Sequence, residues 1–452
     1  MNLTGKQLIF HKEKTRFNPY RILALLILLL VAIFILRAME EKTIASPFEA
    51  TPIPTRAAVS FVLEGETHFM AGDLSKAIQS YQDAIQLDPT NHQLWYELAR
   101  ISTYSSSLLT TDAEQSERLL AAMEAADRAV ELEPTDSTAH AVRAFVLDWL
   151  ANPSLVGEEK AGSLRTEAEQ EAVQALQLDN QNTLALAYYA EILVEQQKWL
   201  QAEQYAQQAV ESNPKLMDVH RVQGYVRESL GDYIGAIEGY ENAVKIMPNL
   251  TFLYIRIGLN YRVLAQKDTI PNSPYYDIAL SYFEKAVYIN EQLGIRDPIP
   301  YLAIGKTYTQ LGEFFIASLN VRRAAQINPY SADVYGQLGI VYFKSRNYEG
   351  SIEALKCAVR GCTAEESCTV RRCDPATDPQ IEIEALPLTN STLVYYYTYG
   401  SVLAAMHRPY NDLCTEAVEV LGVVRNAYAN DPLTMSIVET SESICASFGI
   451  TR

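Results

Sequence analysis

The stretch Met217–Leu250, MDVHRVQGYVRESLGDYIGAIEGYENAVKIMPNL, constrains the fold most. Val219, Val222, Val226 and Leu230 recur at helical spacing on one face of a first short helix, and Ile234, Ile237, Tyr240, Ala243 and Val244 do so on a second. Gly231-Asp232 breaks the chain between them and Pro248 closes the pair. Neither helix can bury its apolar stripe alone, so the unit has to stack on copies of itself.

Copies surround it. Pro214 to Pro248 is one period of 34, and the preceding unit, Thr183–Leu216, carries Ala190, Ala202, Ala209 and Pro214. Upstream stand Phe61, Gly65, Ala77, Tyr81, Ala84 and Pro89, then Trp95, Leu98, Ala99, Ala122, Ala129 and Pro134, then Ala144, Ala168, Ala175 and Asn180. Downstream come Gly258, Tyr261, Ala279, Phe283 and Ala286, then Tyr301, Gly305, Tyr308, Ala317, Ala324 and Pro329, then Tyr335, Leu338, Gly339, Tyr342 and Ala358. A degenerate last unit has Tyr396, Gly400, Ala427 and Pro432. The set Gly224, Ala236, Tyr240, Ala243 and Pro248 resembles the tetratricopeptide repeat (TPR), with small residues where two helices press together and an aromatic ring between units. The resemblance covers nearly the whole chain beyond residue 56. It implies an all-α, right-handed solenoid of about nine helix–turn–helix units. Repeats are expected over 57–362, an insertion over 363–390, a degenerate last repeat over 391–432 and a capping helix over 433–452. A solenoid grows by stacking, so the length of 452 residues does not call for several domains.

The closing residues are unevenly spaced: Pro89 to Pro134 is 45, Pro134 to Asn180 is 46 and Pro248 to Glu291 is 43. The excess is expected between the helices of a unit, near Thr103–Thr111, around Asn152-Pro153 and over Gln266–Pro274. Three enlarged turns on one edge form either a rim or tolerated loop growth, which costs little free energy.

In TPR solenoids the first helix of each unit lines the concave wall. The resemblance therefore places Arg221, Tyr225, Arg256, Arg262 and Lys306 there, as a candidate groove for an acidic or C-terminal peptide segment. The competing reading is a solvated face. The Lys and Asn set with which some TPR co-chaperones clamp a terminal carboxylate is not evident.

Residues 1–21 are basic through Lys6, Lys12, Lys14, Arg16 and Arg21, and Ile22–Leu36 then runs without a polar residue up to Arg37. This pattern predicts a single N-terminal transmembrane helix over 22–36, an uncleaved signal anchor with the tail cytoplasmic and the repeats outside the cytoplasm. A cleaved signal peptide competes, but no small-x-small site follows Leu36 closely. Pro47, Pro52 and Pro54 make 37–56 a tether. The formal charge is −18, and without the first 36 residues it is −22, so the chain is a poor nucleic-acid binder.

Cysteine is absent before Cys357; Cys362, Cys368, Cys373, Cys414 and Cys445 follow. An even count on the exported side predicts three disulfides. The first four are expected to staple the loop-like Gly361–Asn390 to itself and to the preceding helix, and Cys414–Cys445 to lock the terminal cap. Gaps of four, five and four residues do not suit zinc. Asn249-Leu-Thr251 and Asn390-Ser-Thr392 are glycosylation sequons, the first expected to be exposed at a repeat junction. No nucleotide loop, GxSxG elbow or HExxH occurs, and the six histidines lie far apart, several at packing positions. The expectation is a non-enzyme with no cofactor and no metal. It is read as a membrane-anchored, extracytoplasmic scaffold that binds and positions other proteins. A permanent structural subunit of a membrane or surface assembly is the alternative, and a catalytic or metal-dependent role at the Cys-rich loop the remote one.

Overall fold

The computed structural model describes residues 18–40 and 56–451, and the chain divides into two compact units, Met1–Arg56 and Ala57–Arg452. In the first unit α1 (Pro19–Glu40) is a single helix of 22 residues that overruns both boundaries expected for it. Its polar-free run, Ile22 to Leu36, rises only about 22 Å against about 30 Å of hydrocarbon. Among the described residues no helix is long and apolar enough to cross a membrane. The segment expected to span is thus helical, but its apolar run alone falls short. Residues 1–17 of the basic tail and 41–55 of the tether lie outside the described residues.

The second unit is built of nine helix pairs. They are α2 (Ala58–Met70) with α3 (Leu74–Leu87), α4 (His92–Ser106) with α5 (Asp112–Leu132), and α6 (Ser137–Leu150) with α8 (Glu158–Leu178), the single turn α7 (Pro153–Val156) lying between the last two. Next are α9 (Thr183–Glu195) with α10 (Trp199–Ser212), α11 (Met217–Ser229) with α12 (Tyr233–Ile246), and α13 (Thr251–Lys267) with α14 (Tyr275–Leu293). Then come α15 (Ile299–Leu311) with α16 (Phe314–Ile327) and α17 (Ala332–Lys344) with α18 (Tyr348–Val359). After the insertion helix α19 (Ala364–Arg371), α20 (Leu393–Met406) pairs with α21 (Cys414–Ala427), and α22 (Pro432–Ser447) closes the end.

The local chemistry repeats with the units. Asp73, Asp232 and Asn347 accept a backbone N–H at the start of the second helix, capping its orphan donors. The residue before each of these caps turns left-handed: Gly72 and Gly231 in two units, Arg346 in a third. A further recurring bond was not foreseen. Six residues after the closing proline, a side chain on the next first helix donates back to that proline's carbonyl. Trp95 Nε1 does so at 2.9 Å to Pro89, Tyr254 Oη at 2.7 Å to Pro248 and Tyr335 Oη at 3.0 Å to Pro329. His140 and His220 hold the same place against Pro134 and Pro214, at 3.0 and 2.8 Å. Two of the six histidines are therefore joints between units. Gly224 lets the Tyr240 ring close on the first helix of its unit: a Cβ there would meet the ring at 2.9 Å.

Two expectations are corrected. The extra residues of the long units do not lie mostly in turns, because α5, α8 and α14 lengthen to 21, 21 and 19 residues against 14 for α3, α10 and α12. The segment 363–390 is not loop throughout either, since Thr363 and Glu366 form a capping box that starts α19. The disulfides are Cys357–Cys362, Cys368–Cys373 and Cys414–Cys445. The first ties the insertion to α18, the second lies within it, and the third joins α21 to α22.

The solenoid winds tightly enough to touch itself. Tyr104 of the second pair stacks on Phe252 of the sixth, with centroids 5.7 Å apart. Asn328, after the seventh pair, donates to the Thr110 carbonyl in the second. Gly72, in the first turn, lies so close to Asn249 that a Cβ would come within 2.5 Å of its carbonyl oxygen. The core consequently includes one cluster running from Phe69 to Ile257, inside the turn as well as between helices.

Candidate functional site

The first helices α4, α6, α9 and α11 converge on a buried polar hub. Asp218 accepts from Tyr104 Oη at 2.5 Å, from Tyr188 Oη at 2.7 Å and from Arg100 Nη1 at 3.0 Å. Burial works to raise this carboxyl, but Arg100 and the two hydroxyls outweigh it and hold it below the usual range. Beside it Arg221 forks onto Glu191, with Nη–Oε distances of 2.8 and 2.5 Å, and its Nε donates to Tyr104 Oη at 3.2 Å. Burial opposes the Arg221 charge, yet Glu191 keeps the guanidinium ionised. The inner face expected to be open is therefore filled across the second to fifth pairs.

Below the hub the concave wall opens into two adjoining cavities that share Leu259 and Ile299. The first, about 580 Å³, is lined by the aromatics Trp149, Tyr225, Tyr240 and Phe252 and by charged residues of both signs. The second, about 460 Å³, is mostly apolar and holds Arg262 and Lys306. All five residues expected in the groove line one or other cavity, but their charges are not equally available. Arg221 is consumed by Glu191. Arg256 lies 3.4 Å from Glu228 and stacks over the Tyr225 and Tyr240 rings; burial opposes its charge, while Tyr240 and Glu228 raise it above the usual range. Arg262 is buried against Phe283 and donates to the Ala303 carbonyl at 3.2 Å, and burial pushes it down. Lys306 stands exposed, without a carboxylate partner among the described residues.

The carboxylates of the first cavity were missed from sequence: Asp148, Glu191, Glu195 and Asp297. Among the described residues the Glu195 carboxylate takes only the Tyr225 hydroxyl. Asp297 accepts from the Ile299 N–H at 2.9 Å and is pushed by burial up to about 6. The Asp148 carboxylate has no hydrogen bond or ion pair among the described residues. Burial, then Glu191 and Glu195, hold it well above the usual carboxylate range, against Arg221 and Arg165. Two of the three enlarged turns wall this cavity, through Ser107 and Leu108 and through Ala151, Asn152 and Pro153, while 266–274 does not.

A family profile described as "TPR repeat" matches residues 65–101, and one described as "Tetratricopeptide repeat" matches 189–249. The chain therefore carries tetratricopeptide repeats. Human IFIT1 dimer structures resemble this TPR chain with TM-scores of 0.51 and 0.50 at 16% and 15% identity, covering 87% of it and 92% and 91% of theirs. A tetratricopeptide repeat protein from Parabacteroides merdae aligns over 63% of this chain and 98% of its own, at 17% identity and a TM-score of 0.37. No curated protein sequence matches the chain. Of the two sequons, Asn390 is exposed and accepts from Tyr428 Oη at 2.9 Å. Asn249 is only partly exposed and its Thr251 is 2% exposed, so the TPR junction covers the site expected to be open.

Proposed function

We propose that this TPR protein is a membrane-anchored scaffold whose two-chamber groove holds an extended segment of a partner protein. TPR repeats are protein-interaction modules, and the observation that carries the reading is the pair of adjoining cavities on the concave wall, one aromatic and anionic, the other apolar with Arg262 and Lys306. A segment laid across Leu259 and Ile299 meets opposite charge preferences at its two ends, which fixes its direction as well as its identity. The acidic or C-terminal ligand expected from the arginines is confined to the second chamber, because Arg221 and Arg256 are already neutralised.

Anchoring rests on α1. Its 22 residues rise about 33 Å, Tyr20, Arg21 and Arg37 bracket the apolar run, and snorkelling lengthens the effective span. Every described side chain from Tyr20 to Ile35 is exposed, a surface suited to lipid. The charge bias favours an extracytoplasmic solenoid, where three disulfides are stable. Alkaline carbonate extraction tests this: full-length protein is expected in the membrane pellet and a 57–452 chain in the supernatant.

The IFIT1 structures, by their descriptions, contain PPP-AAAA and m7Gppp-AAAA. The chamber's carboxylates outside the Arg221–Glu191 pair, Asp148, Glu195 and Asp297, disfavour a polyanion here. The experiment for the scaffold reading is mild-detergent purification of wild type and Leu259→Trp, with mass spectrometry of what is retained. A partner set lost in the variant supports the groove; an identical set in both contradicts it.

A further inference from the structure

We propose that the chamber at Asp148 seats the side chain of a lysine or arginine in the partner segment. The inference rests on the groove reading and gives it a sign. The charges lining the chamber are Asp148, Glu191, Glu195 and Asp297 against Arg165, Arg221 and Arg256. Arg221 and Glu191 cancel as a two-pronged pair, and Arg256 leans on Glu228, outside the lining. Arg165 donates to the Ala151 carbonyl at 3.2 Å and reaches no carboxylate within ion-pair distance among the described residues. Asp148, Glu195 and Asp297 are left on the cavity wall with no cation within ion-pair distance among the described residues, and the rings of Trp149 and Phe252 line the same cavity. Aromatic faces next to unpaired carboxylates favour an ammonium or guanidinium group and disfavour an anion. The aliphatic stem of such a side chain suits the apolar wall of Ile255, Leu259 and Ile299.

The groups facing Asp148, itself on α6, are Glu191 and Glu195 on α9, Arg221 and Tyr225 on α11 and Arg165 on α8. Without a bound cation, burial and then the two glutamates favour a protonated Asp148. A bound cation reverses that balance, so the Asp148 proton leaves to solvent as the ion pair forms. Binding therefore tightens as pH rises.

The test is calorimetric titration of the full-length protein in detergent with three probes. They are an acetylated, amidated alanine hexapeptide carrying one lysine, the same peptide with glutamate in its place, and putrescine. The expected result is binding of the lysine peptide, tighter at pH 8 than at pH 5.5, with a buffer-dependent heat that reports proton release. The glutamate peptide is not expected to bind. Asp148→Asn, shown folded by circular dichroism, should weaken the lysine peptide at least about tenfold and abolish proton release, and Glu195→Gln should weaken it less. Equal binding of the lysine and glutamate peptides overturns the proposal, as does indifference to Asp148→Asn. Putrescine matching the peptide assigns the chamber to a free amine and overturns a partner side chain as its occupant. If no probe binds up to about 5 mM while Leu259→Trp still strips partners, the cation site falls and the groove stands. If Leu259→Trp also changes nothing, both fall.

Discussion

Asp218 is the residue on which the inner turn depends. Replacing it by alanine leaves Arg100 buried without its carboxylate and two tyrosine hydroxyls without an acceptor. Loss of one partner from such a buried set costs about 3–5 kcal/mol, which urea denaturation should record. Because the folded carboxyl titrates below its ordinary range, its stabilisation is complete above that range and is lost as pH falls through it. Asp148 has the opposite sign. Its folded carboxyl titrates above the ordinary range, so it costs stability increasingly as pH rises. Asp148→Asn should therefore raise the melting temperature at pH 8, and raise it less at pH 5, while weakening cation binding. A residue kept for packing alone would give a loss of stability instead. The packing tyrosines were legible in the sequence from their repeat positions. Asp218 was not: Tyr104 lies 114 residues away, and their contact depends on the pitch of the superhelix rather than on any local period.

At the scale of elements, the helices and their turns were legible because each unit repeats one set of demands: a cap, a left-handed residue, small residues at the crossing. Where the demand is met by other chemistry, as by Arg346 in a glycine's place, the sequence signal fades but the turn persists. The growth of α5, α8 and α14 was not legible because the turn-type residues of Thr103–Thr111, Asn152-Pro153 and Gln266–Pro274 drew the excess length to the turns. The terminal cap rests on Cys414–Cys445, which encloses 31 residues of separation. Changing both cysteines to serine should cost about 3 kcal/mol in that region. Hydrogen exchange should rise in α20 to α22 and stay unchanged in the first six pairs, since their contacts do not pass through the cap. Gly72→Ala should loosen the seam against Asn249, because the added Cβ meets backbone and the left-handed geometry disfavours alanine. A larger radius of gyration by small-angle scattering, with unchanged helix content, is the expected signature.

At the scale of the molecule, the tight turn divides the concave wall into a filled hub and an open groove. An open solenoid would present all five expected residues to solvent, whereas this one spends Arg221 and Arg256 on its own carboxylates and leaves the opposite sign exposed. The charge of the chamber could not be read from composition, because it depends on which ions find partners after folding. The most direct test of the groove is site-specific photo-cross-linking in cells, with a benzoylphenylalanine placed at Leu259, between the two chambers, or at exposed Glu203 on α10. The account expects a discrete protein adduct from position 259, reduced by Asp148→Asn, and none from position 203. Equal adducts from both positions, or an adduct from position 203 alone, would contradict it.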